Sequence, residues 1–145
     1  MNTLIERYGW KFCFDKYKTM KYYESYSDLC QCESCRNFYK NVKLISNDIK
    51  NFVKLFGVDI TKPIEQEAII VDKSKNVVEN TVYYAVNGEA VSLDNPQIPI
   101  GESVVEIIPK GKSPNTDISE PYFVLAVREI WLPWTIDCNI NDIYD

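Results

Sequence analysis

Residues 38–57 read FYKNVKLISNDIKNFVKLFG and decide the fold. Their apolar side chains recur every three or four positions, at Phe38, Val42, Ile45, Ile49, Phe52, Val53 and Phe56. This spacing draws one apolar stripe along a helix, and Gly57 suits the left-handed position after a helix end. Ser27 or Asp28 would cap the start, because short polar side chains accept hydrogen bonds from the first free N–H groups. The stretch therefore predicts one long helix of about 20 residues, enough to cross a sheet.

The sequence on both sides of this helix has the pattern of strands. Before it, Trp10, Phe12 and Phe14 alternate with more polar residues, which is typical of a half-buried strand. Residues 16–26, which are basic and rich in tyrosine, follow as a predicted connection. After the helix, segments rich in Val, Ile, Tyr and Phe predict strands at 66–71, 81–86, 90–93, 103–108 and 122–131.

Turn signals separate these strands. Asn87-Gly88 predicts a tight hairpin turn between two of them. Pro96, Pro99 and Gly101 mark one loop, and residues 111–115 mark another. The order of strand, helix and strand meander predicts a single α+β domain over residues 1–145, with one long helix packed on a mainly antiparallel sheet.

Composition excludes several classes of function. The chain has 145 residues, a net charge of −5 and no histidine. Without histidine, the commonest general base and the Ser–His and Cys–His nucleophile pairs are excluded, which disfavours an enzyme. An acidic chain does not favour nucleic-acid binding. Residues 1–8 lack the basic start and apolar run of a signal peptide, and no segment approaches a membrane span of about 18 apolar residues, so we expect a cytoplasmic protein.

Three of the five cysteines lie within six residues, just before the apolar stripe. Stepping back from Phe38 by three residues reaches Cys35, and a second step reaches Cys32. Reduced cysteine behaves as a small hydrophobic residue and is often buried. The favoured interpretation is therefore that these thiols extend the core-facing side of the helix.

Metal binding is the first alternative. A closed zinc site needs four ligands, which would be thiolates in a chain without histidine. Cys30, Cys32 and Cys35 supply three, and the fourth would be Cys13, Cys138 or a carboxylate such as Asp28. Because only three thiols cluster, histidine is absent and the sequence has no second Cys-x-x-Cys pair, we expect no stoichiometric zinc, but the alternative stays open.

Redox chemistry is the second alternative. The pair in Cys32-Glu33-Ser34-Cys35 stands at a predicted helix start, where backbone N–H groups lower the pKa of the first thiol. Redox motifs of this kind follow a strand in a βαβ unit, whereas a polar, tyrosine-rich stretch precedes this one. This makes the redox interpretation less favoured than the other two.

The segment Trp131-Leu132-Pro133-Trp134 is the candidate partner-binding site. Proline cannot continue the hydrogen bonding of a central strand, so we expect the chain to leave the sheet here with one indole partly exposed. The tail from Asp137 to Asp145 adds acidic residues beside it. An aromatic anchor with an acidic rim suits a basic protein surface, and we expect Trp134 to contribute to binding. The alternative is that both indoles are buried and complete the hydrophobic core.

The segment from Asp28 to Phe38 reads DLCQCESCRNF. It resembles the D-C-x-C-x-x-C-R-N helix start of a family of small, uncharacterised bacterial cytosolic proteins, with Leu29 placed before the first cysteine. The similarity continues through LFGVD at residues 55–59, through Pro63 and Glu65, and through LPW at residues 132–134. The resemblance implies a single α+β domain of bacterial origin, and it transfers no activity or catalytic residue.

These features predict a non-catalytic protein-interaction module of the immunity or regulatory type. A protein is the expected partner, with contacts at Trp131 and Trp134, and no nucleic acid, membrane or cofactor is expected. The alternative is a zinc- or thiol-dependent protein that uses Cys30, Cys32 and Cys35.

Overall fold

The computed structural model describes residues 2–93, 97–108 and 111–140. Its helices are α1 (Lys16–Ser25), α2 (Glu33–Asn41) and α3 (Asn47–Leu55). Its strands are β1 (Thr3–Arg7), β2 (Trp10–Phe14), β3 (Glu65–Asp72), β4 (Val77–Ser92), β5 (Gln97–Ile100), β6 (Ser103–Ile108) and β7 (Tyr122–Pro133). In the described ranges, no helix has both the length and the apolar character needed to cross a membrane. Pro96 and residues 141–145 of the predicted acidic tail lie outside the described residues.

All these strands join one sheet in the order β1-β2-β4-β7-β6-β5, and β3 also pairs with β4. Every pairing is antiparallel. The long strand β4 is central, because its residues 77–83 lie beside β3 and its residues 88–92 lie beside β2. On its other edge β4 pairs with β7 over residues 77–87. The sequence-based prediction of an α+β fold with a mainly antiparallel sheet is confirmed.

The stretch predicted to be one long helix forms two shorter ones. α2 ends at Asn41, a 3-10 turn covers Val42–Leu44, and Ile45 is extended with φ −63° and ψ 143°. Ser46 then caps α3, because its side chain accepts a hydrogen bond from the backbone N–H of Ile49 at 3.4 Å. The single long helix is therefore not confirmed, since a serine cap begins a new helix inside the apolar stripe.

The apolar stripe is nevertheless buried. Six of its residues pack in one core with β2, β4 and β7: Phe38, Ile45, Ile49, Phe52, Val53 and Phe56. The ring centroid of Phe56 lies 5.1 Å from that of Phe12 and 4.8 Å from that of Phe14. Gly57 has φ +85°, the left-handed conformation predicted for it. Packing of this kind supplies most of the stability of short helices.

Residues 16–26, predicted to be a connection, form α1 instead. Asp15 caps this helix by accepting a hydrogen bond from the backbone N–H of Lys18 at 2.9 Å. Its buried residues are Thr19 and Tyr23, so it carries too few apolar side chains to show a helical stripe. Tyr23 anchors α1 to the sheet by donating its hydroxyl to the carbonyl oxygen of Ala85 at 2.9 Å.

The hairpin turn predicted at Asn87-Gly88 is wrong, because both residues lie inside β4. Gly88 has φ +148° and pairs with Phe14 of β2. A Cβ atom at this position would collide with the carbonyl oxygen of Cys13. Glycine is needed here for the close approach of two strands, not for a turn. The two strands predicted at 81–86 and 90–93 are therefore parts of one strand.

Candidate metal and thiol site

The cysteine cluster, defined here as Cys30, Cys32 and Cys35, lies where a loop enters α2. Cys32 immediately precedes the helix and makes no side-chain capping hydrogen bond. Ser27 and Asp28 lie earlier in the loop, so the prediction that one of them caps the helix is wrong. Cys35 is 3% exposed, which confirms it as part of the buried stripe. Cys32 is exposed, as is Cys30, so the core interpretation fails for Cys32.

The sulfur atoms of the three cysteines converge. Their Sγ atoms all lie within 4.8 Å of one another. With Zn–S bonds of about 2.3 Å, two thiolates in a tetrahedral zinc site are about 3.8 Å apart. The backbone N–H of Cys32 donates to Sγ of Cys30 at 3.5 Å, which turns the loop cysteine back toward the helix. The largest of these sulfur separations therefore exceeds the separation in a zinc site by at most about 1 Å.

Two of the thiols differ in acidity. Burial disfavours the thiolate of Cys32, but the polar Ser34 side chain and the nearby backbone N–H group of Cys35 outweigh it and lower the pKa of Cys32 to about 7. Burial raises the pKa of the Cys35 thiol far above its usual range, and contact with the other two thiols raises it further. Cys32 therefore forms a thiolate more readily than Cys35, which keeps its proton.

Tyrosine hydroxyl groups fix the loop that carries Cys30. Tyr39 of α2 donates to the carbonyl oxygen of Cys30 at 2.8 Å. Tyr26 donates to the carbonyl oxygen of Asp28 at 3.2 Å. Partial burial raises the pKa of both hydroxyl groups, that of Tyr26 to about 12, so both stay protonated donors at neutral pH. The loop conformation that brings Cys30 to the helix thus depends on two side chains outside the cluster.

A chain of hydrogen bonds joins the cluster to the sheet. Oγ of Ser34 lies 3.5 Å from Sγ of Cys32 and donates to Oε1 of Gln66 at 3.2 Å. Gln66 in turn donates to Oδ1 of Asn80 at 2.8 Å, and Asn80 donates to the carbonyl oxygen of Ile130 at 3.2 Å. Both amide side chains are buried. Because each buried amide has a partner, the start of α2 is held in one position against β3 and β4.

The arrangement allows two kinds of thiol chemistry. Three converging thiolates can hold a soft metal ion. Alternatively, Cys32 and Cys35 can form a disulfide, in which each thiol gives one proton and one electron to an oxidant. Within the part of the chain that is described, the converging metal-ligating groups are the three thiols, and neither Cys13, Cys138 nor a carboxylate joins them.

Comparison with known proteins does not indicate a function for this chain. No protein-family model matches the chain, and no curated protein or solved structure is significantly similar to it. The family resemblance at the cysteine cluster therefore stays a prediction.

The two candidate partner-binding tryptophans have different environments. The side chain of Trp131 is 61% exposed and donates its indole N–H to Oε2 of Glu79 at 3.2 Å. Trp134 is 7% exposed, packs with Val78 and Ile140, and donates to the carbonyl oxygen of Cys138 at 2.7 Å. The chain leaves the sheet after Pro133, as predicted. The one exposed indole that the sequence predicts is that of Trp131, and the contribution of the buried Trp134 to partner binding stays a prediction.

Sequence reasoning missed the residues that support the cluster. Tyr39 lies four residues after Cys35, so the two share one side of α2, and this helical spacing was the available signal. Gln66 and Asn80 come from different strands and gave no signal, because their pairing depends on the register of β3 with β4.

Proposed function

We propose that the cysteine cluster binds one soft metal ion, with zinc as the reference ion. The observation that supports this function is the convergence of three Sγ atoms to within 4.8 Å of one another. Thiolate ligands favour zinc, Cu(I) and similar soft ions over magnesium or calcium. The convergence favours the metal alternative over the earlier expectation of no stoichiometric zinc, which rested on the number of thiols in the sequence.

The acidity of the thiols determines how the ion binds. Cys32, with a pKa of about 7, offers a thiolate at neutral pH without help from the metal. Cys35 has a raised pKa, so the ion has to displace its proton, as metals do when a thiol coordinates them. Binding therefore releases protons and weakens as the pH falls. Three protein ligands leave one position of a tetrahedral zinc ion open to solvent or to a further ligand.

A zinc titration tests this function. Reduced protein, titrated without oxygen against a chromophoric chelator, should bind one zinc ion per chain. Cys30→Ser and Cys35→Ser should each abolish competition with the chelator, because each variant keeps only two of the three thiolates that hold the ion. Cys13→Ser is the matched control, since Cys13 lies in β2 outside the cluster, and it should bind zinc like the unaltered chain. Failure of the unaltered chain to compete would contradict the proposal, as would equal loss in the control.

A protein-interaction role is a second candidate, and the exposure of Trp131 favours it. Ile69, Glu79 and Trp131 are register partners across β3, β4 and β7, so they form one row on the outer side of the sheet. Ile69 is exposed like Trp131. An exposed aromatic side chain beside a carboxylate suits a partner with a basic surface.

Substitution of the surface indole tests the second candidate. If this face binds a protein, Trp131→Ala should remove that protein from a quantitative capture out of a source-cell lysate, with the fold unchanged by circular dichroism. Leu4→Ala, at an exposed leucine on β1, is the control and should leave the capture unchanged. A protein retained equally by both variants would argue against this face. Both candidate functions are consistent with the reducing bacterial cytoplasm expected from the sequence, where thiols stay free.

A further inference from the structure

A groove of about 1020 Å³ opens where β4 separates from β7. One wall is formed by residues 88–92 of β4, and the other by the start of β7 with Pro121. β7 pairs with β4 only as far as Asn87, so the groove occupies the place where a longer β7 would have continued. None of its lining residues belongs to the cysteine cluster or its supports.

The β4 wall of this groove is a strand edge whose backbone groups pair with no other strand among the described residues. Successive residues of a strand direct their N–H and C=O groups to opposite sides. Asn87 accepts from the backbone N–H of Asp15 and Leu93 donates to Gly9, so the odd-numbered residues point toward β2. Gly88 donates to Pro121 on the opposite side, and Ala90 and Ser92 therefore direct their groups into the groove. No strand of the described ranges pairs with this edge.

A buried side-chain donor beside the groove also lacks a hydrogen-bond partner among the described residues. Trp10 lines the groove, and its side chain is only 6% exposed. Among the described residues, its indole Nε1 has no hydrogen-bond partner. Buried donors are nearly always paired in native proteins, and an unpaired one calls for a specific explanation. A ligand that brings an acceptor into the groove would supply one, after a turn of the indole that uncovers Nε1.

We propose that this groove binds an extended, basic segment of a partner protein by strand addition to β4. Free N–H and C=O groups at Ala90 and Ser92, two residues apart, match the backbone repeat of another strand. Ile107 and Phe123 give the groove an apolar lining for alternate side chains of the segment. A carbonyl oxygen of the segment accepts the hydrogen bond from the Trp10 indole.

Charge determines which segment fits. Among the described residues, Glu89 lines the groove with an acidic side chain, and no lysine or arginine lines it. The whole chain also carries a net charge of −5, which attracts basic segments and repels acidic ones. A strand that alternates apolar and basic residues therefore matches both the lining and the rim.

Calorimetric titration with a synthetic peptide tests the proposal. The probe is an end-capped heptapeptide that alternates lysine and valine, starting and ending with lysine. One control peptide has the same sequence with N-methylated valines, which removes backbone donors along one edge. The other control has glutamate in place of lysine. The lysine peptide should bind saturably, and each control peptide should bind at least about tenfold more weakly.

Two protein variants make the test specific to this edge. Ala90→Pro removes a backbone N–H that faces the groove and leaves the hydrogen bonds to β2 in place, so the fold should persist while peptide binding is lost. Trp10→Phe keeps an aromatic ring but removes the indole donor, and it should weaken binding even if Ala90→Pro fails to fold. Equal binding of the N-methylated peptide, or unchanged binding by Trp10→Phe, would overturn the proposal. Binding of a small apolar dye that the lysine peptide does not displace would identify a small-molecule pocket instead and would also overturn it.

Discussion

The two helices that replace the predicted long helix begin in different ways. α3 begins at Ser46, whose side chain accepts a hydrogen bond from the N–H of Ile49. α2 begins at Cys32, which makes no side-chain cap. Both helices have nine residues and both bury an apolar side. They have the same length, but α2 buries two asparagines beside Cys35 and Phe38, whereas the buried residues of α3 are all apolar.

The two helix starts differ in the stabilisation that a cap provides. A serine or aspartate cap is worth about 1 kcal/mol compared with an uncapped start. α2 lacks this stabilisation and instead presents two exposed thiols beside a buried one. Positions that break a local rule of stability are often functional, because selection preserves them for another reason. The start of α2 fits this pattern, and the start of α3 does not.

The largest expected effect concerns the core beneath α3. Ile49 is 1% exposed and belongs to the main core, so Ile49→Ala should lower the free energy of unfolding by about 2–5 kcal/mol through lost burial and a cavity. Urea denaturation measures this change, and Lys54→Ala, at an exposed position of the same helix, should change it little. An unchanged midpoint for Ile49→Ala would show that α3 does not carry the core.

Metal binding should stabilise the start of α2, which lacks the side-chain cap found at the start of α3. If zinc binds at α2, zinc at about 100 times its dissociation constant should stabilise the fold by about 2.7 kcal/mol. Thermal unfolding of reduced protein with and without zinc measures this shift. Cys35→Ser should abolish the zinc-dependent shift, and Cys138→Ser, outside the converging thiols, should retain it. A shift of the same size in both variants would place the ion elsewhere.

Removing the cap of α3 and adding one to α2 should change the free energy of unfolding in opposite directions. Ser46→Ala should destabilise the metal-free protein by about 1 kcal/mol, because it removes a working cap. Cys32→Asp should stabilise the metal-free protein by up to about 1 kcal/mol, because it supplies the missing cap. The same substitution should abolish zinc binding. Urea denaturation of both variants in the presence of a chelator gives the comparison, and destabilisation by Cys32→Asp would contradict it.

The smallest effect is the pH dependence of Cys32. The folded protein lowers the pKa of this thiol to about 7, below the value of about 8.5 in an unfolded chain. The resulting stability is present above the unfolded pKa and is lost as the pH falls through about 7. The stability of the unaltered chain relative to Cys32→Ser should therefore be larger at high pH than at low pH. A difference that stays constant would show that Cys32 titrates normally.

Regular patterns with a buried side could be predicted from the sequence. The alternation of Trp10, Phe12 and Phe14 predicted β2, and the stripe of residues 38–56 predicted the helical core. The break at Ser46 could not be predicted from periodicity, because a cap and a continuing stripe are compatible with the same residues. α1 was missed since it buries only Thr19 and Tyr23. Asn87-Gly88 was misleading because glycine also permits close approach of strands.

The candidate site was predictable in its residues but not in its geometry. The spacing of Cys30, Cys32 and Cys35 singled them out, but their sulfur positions depend on a loop without a periodic pattern. That loop is held by Tyr26 and Tyr39, whose hydroxyl groups reach backbone carbonyls that no spacing rule identifies. Sequence alone therefore left the core and metal interpretations open.

The unequal pairing of β4 has a mechanical consequence. Residues 77–83 of this strand are hydrogen-bonded on both edges, to β3 and to β7, so they form the stiffer end of the strand. Residues 88–92 are held along one edge by β2, so they form the compliant end. Bending of the sheet should concentrate at the compliant end, where the fewest hydrogen bonds resist it. The same continuous strand leads from there to Asn80, whose side chain belongs to the hydrogen-bond chain that reaches Cys32.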